Sequence, residues 1–140
     1  MARSDPFVDT LATVPLFSAC SKKELQMVAK SADHVTVPSG NVLVTEGAAG
    51  SEFFVILDGR AHVERHGREV ASLGPGAFFG DLALLDRAPR NASVIADTEL
   101  EVAKLDQRAF DALLEHPGFS KKLLAGLARR LREQDARSIG

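Results

Sequence analysis

The sequence predicts a mainly β fold with helices at both ends: a sandwich, jelly roll or barrel. Three observations carry that expectation. Residues 33–105 fall into short apolar or alternating runs, with turn signals about every 8 to 12 residues. Most gaps between the runs are too short for the helical crossovers of a parallel sheet. Both ends of the chain instead place apolar residues at helical spacing. The 140 residues suit a single domain, 1–140, and 45% hydrophobic with 26% charged content argues against disorder. A chain of this length buries about two-thirds of its unfolded surface, enough for a core without staples.

Residues 1–32 read as N-terminal helices. Val8, Leu11 and Ala12 mark a short helix that should end near Pro15, because proline lacks an amide hydrogen. Leu16 and Phe17 are expected to plug the junction between these helices and the rest of the chain. Ser21-Lys22-Lys23-Glu24 has the form of a capping box, and Leu25, Val28 and Ala29 continue at helical spacing beside Met27. The β region then runs through 34–37, 42–44, 53–57, 61–65, 68–71, 92–96 and 100–105, which implies seven or eight strands. Asp58-Gly59 is a hairpin turn signal, and His66-Gly67 is a second turn candidate. Residues 106–140 return to helix. Asp106 is the expected N-cap of a helix from Gln107 to Glu115 with Phe110, Leu113 and Leu114 inward. His116-Pro117-Gly118 breaks it, and a last helix from about Ser120 to Ala136 should show Leu123, Leu124, Leu127 and Leu131 on one face.

Several function classes are excluded early. Cys20 is the lone cysteine, so there is no disulfide framework and no Cys-rich zinc site. His34, His62, His66 and His116 share no metal-ligand spacing, and strand or surface roles are expected for them. Net charge is −2, so the whole chain is no polyanion binder and no direct nucleic-acid contact is expected. Residues 119–140 hold six basic and two acidic groups, +4, against −6 for the remainder. That basic helix reads as a solvated face with its charge near the favourable C-terminal dipole end. No apolar stretch approaches the ~20 residues of a membrane span, and Met1-Ala2-Arg3-Ser4-Asp5-Pro6 lacks a signal-peptide core. A reducing cytoplasm is the expected compartment. No nucleophile–base constellation, metal cluster or acid–base pair suggests catalysis, so the chain is expected not to be an enzyme.

The segment from Gly74 to Ser93 carries the chemistry. Leu82 to Leu85 is helix-forming, yet about one turn fits before Pro89, so something else must order it. Its first amides lack intrahelical partners and favour an anion, and Gly80 lets a ligand approach the backbone. Arg90 can reach back with a planar fork that suits two phosphate oxygens, or can hold the turn through carbonyls or Asp86. Asp81 would repel an anion unless it faces another group, such as a sugar hydroxyl. It can also simply cap the short helix. Amides, an arginine and one carboxylate describe a phosphate beside a ribose.

At these residues the chain resembles the cyclic nucleotide-binding domains, of the catabolite activator and protein kinase A regulatory subunit type. The family's phosphate-binding cassette has the form Phe-Gly-Glu-x-Ala-Leu-Leu, a short gap, then Pro-Arg-x-Ala. This chain matches it at Phe79, Gly80, Ala83, Leu84, Leu85, Pro89, Arg90 and Ala92. Gly47, Gly59 with Val63, and Gly74-Pro75-Gly76 stand at the family's turn positions, and the resemblance covers about residues 7 to 136. It implies an eight-stranded jelly-roll β-barrel, a double-stranded β-helix, with the cassette at 79–92, N-terminal helices before it and B/C-type helices after it. It also implies that Arg90 pairs with the cyclic phosphate, lined by the amides of Gly80, Leu82 and Ala83, while Asn91 and Ala92 contact phosphate or base. Asp81 departs from the family's glutamate, which accepts from the ribose 2′-hydroxyl. Being one methylene shorter, it needs a closer ribose or a bridging water. A base cap from the last helix would come from Arg129, Arg130, Arg132 or Gln134, with arginine stacking on the base.

The resemblance therefore implies a regulatory module with no cofactor, whose ligand is cyclic AMP by family frequency, with cyclic GMP open. Ligand binding would reposition the last helix and act on a downstream protein. A ligand-free assembly module of the same fold is the alternative, for which Asp81 speaks. A third reading is the sensor fragment of a transcription factor, kinase or channel; the chain ends at Gly140, leaving no room for a helix-turn-helix domain within it. Leu124, Leu127 and Leu131 approximate a heptad seam and suggest a homodimer through the last helix.

Overall fold

The computed structural model describes residues 6–80, 84–85 and 88–139, and side chains as far as residue 133. Helix α1 (Pro6–Ala12), a 3₁₀ turn (Pro15–Phe17) and α2 (Lys22–Ser31) form the N-terminal layer. The capping box is in place: Ser21 Oγ accepts from the Glu24 amide at 3.1 Å, and Glu24 Oε1 accepts from the Ser21 amide at 2.8 Å. Pro15 does not merely end a helix but opens the 3₁₀ turn, where its fixed φ and missing N–H cost nothing. Leu16 and Phe17 are buried in the junction, with Phe17 stacked on Phe119 at 5.9 Å.

The strands described are β1 (Asp33–Val37), β2 (Val42–Val44), β3 (Glu52–Asp58), β4 (Ala61–Arg65), β5 (Arg68–Leu73), β6 (Phe78–Phe79), β7 (Ser93–Ala96) and β8 (Leu100–Asp106). They form two antiparallel sheets in the orders β1-β8-β3-β6 and β2-β7-β4-β5. Between the sheets pack Phe54, Ile56, Ala61, Phe79, Val94 and Val102. The opposite face of the first sheet, with Phe53, Val55 and Leu105, packs on Phe110, Phe119 and Leu123 of the helices. That sheet is covered on both sides. Hence Phe53-Phe54-Val55-Ile56 is continuously apolar instead of alternating.

Three strand expectations need correction. Asp58-Gly59 is not a hairpin turn, because β3 pairs with β6 and β8 while β4 pairs with β5 and β7. It carries the chain from one sheet to the other, with Gly59 at φ +91°. The hairpin lies at His66-Gly67, where φ of 55° and 77° gives the two left-handed residues of a type I′ turn. Among the described residues no ladder joins the two sheets, so they face one another as a pair and do not close into a barrel. Strand β6 escaped the sequence reading because two residues are too short for any period.

Helix α3 (Gln107–Leu114) starts where expected, Asp106 Oδ1 accepting from the Ala109 amide at 2.8 Å. The last helix, α4 (Pro117–Ile139), begins three residues before Ser120, since proline is tolerated in a first helical turn. Its leucines do not share one face. Leu123 is buried and Leu127 half-buried against the core, whereas Leu124 and Leu131 are 64% and 60% exposed. Neighbours 123 and 124 sit about 100° apart on the helix, so only one of them can face inward. No helix among the described residues is long and apolar enough to cross a membrane.

Candidate functional site

Strand β6 ends at Gly80, where the backbone turns with φ +89°. A Cβ there would stand 2.6 Å from the Glu52 carbonyl oxygen and 2.8 Å from Arg90 Nη1. Only glycine meets both the dihedral and the space. Arg90 arrives from the far side of the cassette, after Pro89. Its amide donates to the Ala48 carbonyl at 2.8 Å, and its own carbonyl accepts from Gly47 at 2.7 Å. These two bonds lash its backbone to the β2–β3 loop.

The Arg90 side chain is the one charged group buried among the described residues. A buried guanidinium persists only if it is well hydrogen-bonded. Nη1 donates to the Gly80 carbonyl at 2.9 Å and Nη2 to the Glu52 carbonyl at 2.8 Å. Gly50 leaves room for this path, since a Cβ there would lie 1.9 Å from Arg90 Nε. The cation is thus fixed in plane and position between the start of the cassette and the start of β3. A preset planar cation in a low-dielectric setting is suited to an anion with two oxygens.

The other sequence candidates divide. Gly80 and Arg90 meet, through the Gly80 carbonyl. Phe79 is buried in the inter-sheet core, stacked on Phe54 at 4.9 Å, so its ring packs and does not line the site. Ala92 is buried, and Asn91 is exposed with its carbonyl accepting from Arg65 Nε at 3.1 Å. Asp81, Leu82, Ala83 and Asp86 lie outside the described residues. Leu84 packs into the helical core, and its carbonyl accepts from Gln107 Nε2 at 3.1 Å, which ties the cassette to α3. Of the cap candidates, Arg129 and Arg132 are exposed, and the side chain of Gln134 lies outside the described residues. Arg130 sits 4.4 Å above the Phe78 ring and donates to the Phe78 carbonyl at 3.3 Å. Gly126 lets α4 close on the same ring, since a Cβ there would come within 2.7 Å of Phe78 Cζ. Helix α4 therefore lies across the strand that leads into the Gly80 turn.

Sequence reasoning missed Gly50, Glu52, Arg65 and Gln107. Glu52 acts through its carbonyl, which no side-chain pattern reveals, and the other three sit far from the cassette in sequence. The histidines pair with carboxylates: His34 with Glu101 at 2.8 Å, His116 with Glu24 at 2.9 Å, His66 with Glu46 at 3.3 Å. His62 is held between Glu64 at 2.6 Å and Asp97 at 2.5 Å, and these two carboxylates raise its pKa above the ordinary 6.5. Burial, and then the Glu24 charge, push the Cys20 thiol up, and its side chain packs against the helical core. Among the described residues no cluster of three or more His, Cys, Asp or Glu is arranged to hold a metal ion.

Comparison with known proteins bears on this geometry. The model of the cyclic nucleotide-binding domain matches residues 34–116, more than half of the chain, from β1 through α3. The cAMP-dependent protein kinase regulatory subunit of Aspergillus niger is 39% identical over 106 residues, which are 74% of this chain and 26% of that protein. The crystal structure of Thermus thermophilus catabolite activator protein superposes with a TM-score of 0.78 at 32% identity, over 88% of this chain and 61% of that one. The regulatory domain of Toxoplasma gondii PKA, in co-crystal with cAMP, gives 0.76 at 27% identity, over 89% of this chain and 49% of that one. The chain spans about a quarter of the length of the kinase regulatory subunits it matches. The matched stretch contains the Gly80 turn, the buried Arg90 and the loop that lashes it, and on that ground the chain belongs to the cyclic nucleotide-binding domain family.

Proposed function

We propose that this chain is a non-catalytic regulatory module that binds cyclic AMP. The observation that carries the reading is the buried guanidinium of Arg90, held against the Gly80 turn at the start of the cassette motif. The cyclic phosphate would lie between that fork and the amides of Gly80, Leu82 and Ala83, with Asn91 and Ala92 beside it. Asp81 would meet the ribose hydroxyl, directly or through water. The carbonyl bonds already orient the cation, so little ordering remains for the ligand to impose. Cyclic AMP is preferred over cyclic GMP because the similar kinase subunits are named for it and two similar structures hold it.

Coupling would run through α4, the counterpart of the family's C-terminal helices. Arg130 and Gly126 rest on Phe78, two residues before Gly80, so a shift of the cassette moves what α4 packs on. The ligand can change the helix position only by its differential affinity for the two arrangements. In the same movement Arg129, Arg130, Arg132 or Gln134 would cap the base. The downstream partner would be a kinase-like or other effector, and the exposed Leu124 and Leu131 would pair two copies.

Isothermal titration tests the central claim. Arg90→Ala is expected to weaken cyclic AMP binding by about 2–5 kcal/mol, the cost of truncating a buried charged partner. An unchanged dissociation constant refutes the role. The second reading is a ligand-free assembly module, favoured by the observation that both terminal nitrogens of Arg90 donate to the protein's own carbonyls. Thermal melting separates the two: cyclic AMP at ~100 times its dissociation constant adds ~2.7 kcal/mol. No shift with cyclic AMP or cyclic GMP selects the assembly module.

A further inference from the structure

The tip of the β4–β5 hairpin is a cluster near Arg90 to which the cyclic nucleotide reading assigns nothing. Arg65 and Arg68 stand directly opposite one another on the last rung before the His66-Gly67 turn. Like charges on one rung destabilise a hairpin, so the pair invites an anionic partner. The next rung, Glu64 opposite Glu69, belongs to the other face of the ribbon. Glu64 is also engaged by His62. Arg65 has the parity of Ala61 and Val63, which pack into the inter-sheet core, and so stands on the inward face at its mouth.

The tip is bound on both sides to the segments that hold Arg90. Arg65 Nε donates to the Asn91 carbonyl at 3.1 Å, one residue past Arg90. The His66 amide donates to Glu46 Oε1 at 3.0 Å, and its ring Nδ1 lies 3.3 Å from Oε2. The Glu46 amide donates to Ser93 Oγ at 2.9 Å, and the next residue, Gly47, donates to the Arg90 carbonyl.

We propose that this hairpin tip is a second cationic wall of the nucleotide site: Arg65 keeps Asn91, and through it Arg90, in register, and Arg65 and Arg68 together draw the anionic ligand in. The inference rests on the proposed binding of a cyclic nucleotide. A cleft lined by one sign of charge raises association rates in a manner that falls steeply with ionic strength.

Stopped-flow binding of a fluorescent cyclic AMP analogue to the whole chain, at low and physiological ionic strength, tests it. Arg68→Gln, at an exposed position, should slow association at low salt by about two- to fivefold and leave dissociation unchanged. Arg65→Gln should slow association and also speed dissociation by about tenfold, because charge and the grip on Asn91 are both lost. Arg65→Lys should restore the association rate but not the dissociation rate, since an ammonium cannot reproduce the fork. Wild-type rates and salt dependence in Arg65→Gln and Arg68→Gln overturn the inference alone. Absence of binding by the wild type overturns it together with the cyclic nucleotide reading.

Discussion

Arg90 shows how one residue can be legible in identity and illegible in surroundings. The Pro-Arg-x-Ala tail and the preceding Phe-Gly marked it as a cassette residue, and in the structure its Nη1 donates to the Gly80 carbonyl. Nothing local pointed to Gly50 or to the Glu52 carbonyl, 40 and 38 residues upstream. Gly50 provides a sharp test because its φ is unremarkable and only space is at stake. In Gly50→Ala the added methyl must displace the guanidinium, so cyclic AMP affinity should fall at least about tenfold, as expected when a buried charge pair is disrupted. The loss of melting temperature should be smaller, because the atom displaced is the end of a flexible side chain. Titration calorimetry and a melting curve on the same variant separate these two effects.

At the scale of elements, capping was the most readable feature. Ser21 with Glu24, and Asp106 with Ala109, occur where local chemistry put them. Sheet membership was not readable. Asp58-Gly59 has the composition of a hairpin turn, yet its flanking strands belong to different sheets. A left-handed glycine permits either outcome, and the choice between them is made by which strands lie alongside. Helix α4 repeats the lesson, for its leucines are alike in type and only their neighbours divide them. Leu123→Ala should cost about 2–5 kcal/mol of stability, a large-to-small change in the core. Leu124→Ala, at a site 64% exposed in the single chain, should change the monomer's stability by no more than about 0.5 kcal/mol. Urea denaturation of the two variants measures the difference, and equal losses would mean that α4 does not seat as described.

For the whole molecule, the second sheet is stitched at its outer side by His62, which joins Glu64 on β4 to Asp97 beyond β7. The raised pKa of His62, due first to Glu64 and then to Asp97, means that the folded state holds a proton more tightly than the unfolded chain. The resulting stability is fully present below about pH 6.5, the ordinary histidine value, and is lost as pH rises through the raised value. Melting temperatures of wild type and His62→Gln should therefore differ most in mild acid and converge toward alkaline pH. A gap that is constant with pH would remove His62 from the account.

Sequence alone determined the mainly β class and the helix caps, because each depends on neighbours within a few positions along the chain, and the cassette was legible as a family motif. Tertiary structure alone decided which strands share a sheet, which leucines of α4 face inward, that Arg90 lies buried on the carbonyls of Gly80 and Glu52, and that Arg65 of the β4–β5 tip reaches the Asn91 carbonyl. Those are contacts between segments tens of residues apart. They are selected by the shared burial of apolar faces and by the need of a desolvated cation for acceptors, and neither requirement names its partner in the local sequence.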